Sequence, residues 1–237
     1  MSKSARFIIG ALVFLLSFIF ITIQFQAGQL FMTPDSLHEK LVNTTRDMQG
    51  LSLVNHIIFI LVLCSGFVLN RSRNIIIPTF MIYLCVGVFA SAFKHNIFIN
   101  YFYFPLLIGL IFHAFLTKKL SFNYSALKTQ DKIFGILAIL GSLWYLALVD
   151  SPVLVNALLY SPVGVVNCPT TLALCGFLIL NTNRSFFLEL AVICGAIFFG
   201  GLGILTMSVY YDILLVSMGL FLAWRLWKND FASTITS

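Results

Sequence analysis

The run YSPVGVVNCPTTLALCGFLILN, residues 160–181, decides the fold, because it carries no charge yet is interrupted by Pro162, Gly164 and a Cys168-Pro169 pair. A helix begun at Pro169 and ended at Asn181 reaches only about 20 Å at 1.5 Å per residue, too short for a hydrocarbon core of about 30 Å. Begun at Pro162, it covers about 30 Å and crosses. A proline suits that first helical position, since its missing N–H has no helical partner there anyway. The spacing therefore predicts a membrane span over 162–181 with a proline inside it. Pro169 has no amide hydrogen for the Val165 carbonyl and its ring presses on that carbonyl, so a kink is expected.

In lipid a freed carbonyl needs a partner, and Thr170 and Thr171 follow at once with hydroxyls that can supply one. Gly164 allows another helix to come close. Three readings are open for this segment. It is a packing kink; or its Val165 carbonyl, Cys168 thiol and Thr170 and Thr171 hydroxyls line a pathway for a substrate or ion; or Cys168 is a metal ligand, since thiolate favours copper(I) or zinc. His56, at a similar depth in the second span, is the other candidate ligand.

Working outward, 60% of the 237 residues are hydrophobic and 9% charged, with a mean hydropathy of +1.00, where soluble domains have roughly 25% charged residues. Phe alone supplies 25 residues, suited to acyl-chain contact. The net charge of +6 is spread over short loops between apolar runs, so nucleic acid is not an expected partner. Cys64, Cys85, Cys168, Cys175 and Cys194 all fall within apolar runs with no CxxC pair, and disulfides are not expected.

Eight candidate spans follow, at 7–26, 51–69, 75–93, 101–117, 133–149, 162–181, 186–206 and 209–227. The first reads as a retained anchor, because its apolar core exceeds a usual signal-peptide core and Phe25 stands where cleavage wants a small residue. Lys3, Arg6, Arg71, Arg73, Lys118, Lys119, Lys128, Lys132, Arg184, Arg225 and Lys228 gather on one side, against Lys40, Arg46 and Lys94 on the other. The positive-inside rule then places both termini in the cytoplasm. The fold class expected is an all-α, polytopic transmembrane helix bundle forming one integral membrane domain. Its possible halves, 1–117 and 133–237, are joined by the basic cytoplasmic loop 118–132, an arrangement compatible with a parallel repeat. The outer segment 27–50 offers a helix start at Pro34, Asp35 and Ser36. Asn-x-Ser/Thr matches at Asn43, Asn70, Asn123 and Asn183 read as chance, three of them lying on the cytoplasmic side.

The motif VGVVNCPTTLALCGFLIL, a glycine-rich span after it and then YYDILLVSMGL resemble the C-terminal half of a family of uncharacterised bacterial multipass membrane proteins with a Gly-Val-x-Pro-Cys-Pro-Thr-Thr motif. The match covers roughly residues 135–225. By position it rests on Gly164, Val165, Cys168, Pro169, Thr170 and Thr171, with Asp212 as the acidic residue opening the last span; Asn167 stands where the family usually has proline. The resemblance implies the multipass architecture and a bacterial inner membrane, and leaves the activity open.

Ionisable residues within spans are candidates for function because hydrocarbon penalises them. Glu189 begins the seventh span, near Arg184, with which it can pair. Asp150 and Asp212 stand at outer ends, where the absence of Lys and Arg makes a negative mouth that attracts cations. His113 is placed near headgroups and His95 in a loop. Gly195, Gly200, Gly201 and Gly203 suit tight helix packing, while Tyr101, Tyr210, Tyr211, Trp224 and Trp227 suit interface belts. No HExxH, GxSxG, phosphate-binding loop or dinucleotide fingerprint occurs, so no catalytic residue and no cofactor is expected. The function expected is a small permease or channel-like transporter; the alternatives are a non-transporting scaffold or assembly factor and a metal-handling membrane protein. The expected partners are the lipid bilayer and a membrane protein or second copy of the chain.

Overall fold

The computed structural model describes residues 34–68, 72–145, 156 and 159–230, and among these the regular structure is entirely helical. Helix α1 (Pro34–Asp47) opens on a proline and turns Leu41, Thr44 and Thr45 inward while Glu39 and Arg46 stay exposed. That spacing is one face of a helix, and it lies against α2 (Gln49–Val68), α3 (Arg73–His95) and α7 (Phe186–Met207). Asp47 ends α1 within 4.0 Å of Lys94 and His95, at the far end of α3.

The long helices are apolar on both faces. Along α2, Asn55, His56, Phe59 and Val62 face in, whereas Ile57, Ile60 and Leu61 are exposed, Leu61 at 62%. In water such a surface would be a large apolar patch; against acyl chains it is a solvated one. Helix α3 buries Ile77, Met81, Leu84, Val88 and Ala92 at helical spacing and pairs with α4 (Asn100–Leu116), whose Phe104, Leu107, Ile111 and Ala114 meet it. Among the described residues three helices are long and apolar enough to cross a membrane: α2 over Gln49–Gly66, α3 over Arg73–His95, and α7 over Phe186–Leu205.

After a short 3-10 turn at Tyr124–Ala126, α5 (Thr129–Leu143) packs on α6 (Asn167–Ile179), with α7 and α8 (Asp212–Asp230) closing the other sides. Residue spacing makes α6 unlike its neighbours: it has no polar face, and all of its 13 residues are buried. Its glycine Gly176 crosses Gly135 of α5 so closely that an added Cβ would stand 2.9 Å from the Gly135 carbonyl oxygen. Phe177 stacks on Phe59 of α2 at 5.6 Å between ring centroids. Helix α6 is thus the axis of the described bundle.

The helix expected over 162–181 begins instead at Asn167. Ahead of it the Pro162 carbonyl accepts from the amides of Val165 at 3.0 Å and Val166 at 2.9 Å, closing a turn. Gly164 adopts a φ of +73°, which helix does not allow. Pro169 consequently falls in the first turn of α6, where amides have no helical acceptor to lose, and the expected kink is absent. At about 20 Å, α6 is too short to cross a bilayer alone. Helices α2, α3, α4, α7 and α8 lie over the expected spans 51–69, 75–93, 101–117, 186–206 and 209–227, but of these only α2, α3 and α7 have the length and apolarity to cross; α5 spans Thr129–Leu143 rather than starting at 133. The span 7–26, Asn70 and Asp150 lie outside the described residues.

At the end carrying the basic loop, backbone groups left by α4 and α6 satisfy each other. Asn181 Oδ1 accepts from the Ser121 amide at 2.7 Å, its Nδ2 donates to the Lys119 carbonyl at 3.0 Å, and Thr182 N–H donates to the Ser121 carbonyl at 2.7 Å. Arg73 stacks over the Tyr124 ring at 5.3 Å. Burial pushes that phenol above its usual range and the guanidinium opposes the push.

Candidate functional site

Every residue from Ser161 to Asn181 is buried, so the non-helical backbone before α6 is sealed inside the bundle. Buried carbonyls and amides must be paired, and side chains from other helices do this. Asn55 of α2 donates to the Val163 carbonyl at 2.8 Å and accepts from the Tyr83 hydroxyl of α3 at 2.6 Å. His56 Nε2 lies 2.9 Å from the Ser161 carbonyl, which only accepts, so that nitrogen carries the proton. Ser91 of α3 reaches the Val165 carbonyl. Thr170 Oγ1 accepts from the Gly164 amide at 2.7 Å and donates to the Val166 carbonyl at 2.7 Å. Gly87 of α3 leaves the room: a Cβ there would overlap the Gly164 carbonyl oxygen.

This sealed turn delivers the N-terminus of α6 to a buried carboxylate. Asp212, the first residue of α8, is 1% exposed. Its Oδ1 accepts from the Tyr145 hydroxyl, and Cys168 Sγ lies 3.6 Å from its Oδ2. Tyr145 is itself anchored, since its amide donates to Ser161 Oγ at 3.2 Å and Ser161 donates to the Ser142 carbonyl at 2.8 Å. Gly203 of α7 faces the carboxylate so closely that any Cβ would overlap Oδ2. Helix amides favour an anion at their N-terminal end, and two helices begin here.

The chain matches no family model, no curated protein and no solved structure. A carboxylate, a thiol and a phenol thus meet in the buried interior between α5, α6, α7 and α8.

Of the candidates singled out in the sequence, Cys168, Pro169, Thr170 and Thr171 share the first turns of α6, Val165 presents its carbonyl to Ser91, and Asp212 joins Cys168. His56 and Cys168 have different partners, Ser161 and Asp212. Among the described residues no three His, Cys, Asp or Glu side chains assemble as a metal-binding group. Glu189 belongs elsewhere, paired with Arg184 at 2.7 Å. That pair is part of a second polar layer at the other end of α6, where Arg225 donates to the carbonyls of Ile179 at 2.5 Å and Leu178 and Asn181 at 3.4 Å. Asp131 of α5 stands 3.6 Å from Arg225, and Arg184 donates to the Arg225 carbonyl at 2.9 Å.

Tyr145, Asn55, Ser91 and Ser161 are the site residues that sequence reading leaves out. A lone Tyr or Ser in an apolar run has no signature; only Asn55 carries one, as an amide next to a histidine well inside a span.

Proposed function

We propose that this chain is a multipass membrane protein of about eight spans with both termini in the cytoplasm, and that it acts as a small permease or channel-like transporter. Its place is the inner membrane if the chain is bacterial, within the multipass family whose Gly-Val-x-Pro-Cys-Pro-Thr-Thr motif it resembles. The pathway runs past the tip of α6. One observation carries this reading: non-helical backbone at 163–166, buried within apolar helices, ends on the buried carboxylate of Asp212. Irregular backbone at membrane depth occurs where it is enclosed by protein or lines a cavity, and discontinuous helices of this kind form the binding sites of many transporters.

The test is access. In a variant keeping Cys168 and replacing Cys64, Cys85, Cys175 and Cys194, a small membrane-impermeant thiol reagent added opposite the basic loop modifies Cys168 within minutes as the pathway opens. Absence of modification from both sides, with the protein folded, counts against the pathway. It would favour the second reading, a non-transporting scaffold, which is supported by the way α8 grips both ends of α6 through Asp212 and Arg225. The metal-handling reading has less support, because His56 and Cys168 bind separate partners.

A further inference from the structure

Among the described residues no cation pairs with the buried carboxylate of Asp212. Tyr145 and Cys168 give it hydrogen bonds but no charge. Between Ile133 and Trp224 the only Lys, Arg or His is Arg184, and that guanidinium is committed to Glu189 and the Arg225 carbonyl at the opposite end of α6. The titratable groups bonded to Asp212 are Tyr145 after α5 and Cys168 on α6; its half-exposed chain neighbour Tyr211 lies with its ring 6.4 Å from that of Tyr145. Helix α7 presents Gly203, and His56 of α2 stands one step further, on the Ser161 carbonyl. Among the described residues none of these is a Lys or Arg. Helix N-termini offset part of a negative charge, yet a carboxylate held in a dry interior without a cation remains costly, so the site favours uptake of a positive species.

Size and ligand number select which one. A metal cation such as Ca²⁺ takes 6–8 oxygen ligands and Mg²⁺ an octahedron, whereas among the described residues this site offers a single carboxylate, and one of its oxygens abuts Gly203 with no room for a methyl group. A proton needs one lone pair. We propose that Asp212 is a proton-binding carboxyl and that H⁺ is the ion the pathway passes, an inference that rests on the pathway reading above. The proton adds to a carboxylate oxygen from one side of the bundle and leaves to the other, with Tyr145 and Cys168 exchanging donor and acceptor roles at each step; no bond to carbon changes and no electron moves.

Two measurements on the full-length protein test this. The first is infrared difference spectroscopy in lipid nanodiscs during acidification, where a protonated-carboxyl band should appear, vanish in Asp212→Asn, and shift its midpoint in Tyr145→Phe. The second is proteoliposomes with a trapped pH dye and an imposed gradient, which wild type should dissipate at least tenfold faster than Asp212→Asn. Absence of the wild-type band overturns the proton site, whatever the fate of the variants. If the band appears but liposomes hold the pH gradient while passing sodium, potassium or rubidium, the pathway survives and the proton assignment falls. If no ion moves, the pathway reading falls and the proposal with it.

Discussion

Asp212 and Arg225 of α8 meet opposite ends of the buried helix α6, the carboxylate beside Cys168 in its first turn and the guanidinium on the carbonyls of Leu178 and Ile179 in its last. Contacts at both ends in the same order mean that α6 and α8 run parallel. The two charges have the signs that complement the dipole of α6, so one helix supplies both counter-charges of another that is too short to reach water at either end.

Loss of Arg225 therefore exposes that arrangement. Arg225→Ala leaves the terminal carbonyls of α6 without their donor and Asp131 without its nearby cation. Breaking a buried pair by removing one partner costs about 3–5 kcal/mol. Thermal unfolding in detergent, followed by size-exclusion fluorescence, should show a large drop in midpoint. A change within error would mean that α6 is held by packing alone.

Two glycines of α7 separate space from helix propensity. At Gly203 a Cβ overlaps the Asp212 carboxylate, while at Gly201 nothing lies within 4 Å. Gly203→Ala should sharply lower the yield of folded protein. Gly201→Ala should be neutral or stabilising by up to about 1 kcal/mol, the helix-propensity difference. Equal effects of the two would remove the carboxylate from the α7 contact.

The contrast also marks what the sequence can carry. Periodicity locates α2, α3, α4, α7 and α8 because each has an inward stripe whose spacing survives translation into a list of apolar residues. Helix α6 has no such stripe, being buried all round. Its start is instead set by Gly164 at positive φ and by hydrogen bonds from Asn55 and Ser91, over a hundred and about seventy residues away in the chain. Proline chemistry alone favoured a crossing helix from Pro162. Asp212 and Cys168 were visible individually as an acid and a thiol in apolar surroundings; Tyr145, which completes the cluster, was not, since a phenol in an apolar run acquires meaning only from what it reaches.

Asn55 holds the sealed turn from outside it. Its amide gives one hydrogen bond to Val163 and takes one from Tyr83. Asn55→Ala leaves a buried carbonyl and a hydroxyl unpaired, at about 1–3 kcal/mol for each orphaned group. Tyr83→Phe removes only the outer of the two bonds and should cost less. Unfolding midpoints in the order wild type, Tyr83→Phe, Asn55→Ala are expected; the reverse order would place the support for Val163 elsewhere.

Pro169 offers the sharpest test of where α6 begins. In a span running through from Pro162, Pro169 would interrupt the helix, and Pro169→Ala would restore the bond to the Val165 carbonyl and straighten it, a gain of about 3 kcal/mol by helix propensity. In the observed fold the Val165 carbonyl is occupied by Ser91, and residue 169 lies in the first turn, where its amide has no helical acceptor. Pro169→Ala should then be neutral or slightly destabilising, because the unfolded chain gains freedom. Thr170→Val, by contrast, strips the Gly164 amide and the Val166 carbonyl of their shared partner and should cost about 1–3 kcal/mol. A stabilised Pro169→Ala together with a neutral Thr170→Val would mean that the turn at 163–166 is not the resting structure and that the helix extends to Pro162 after all.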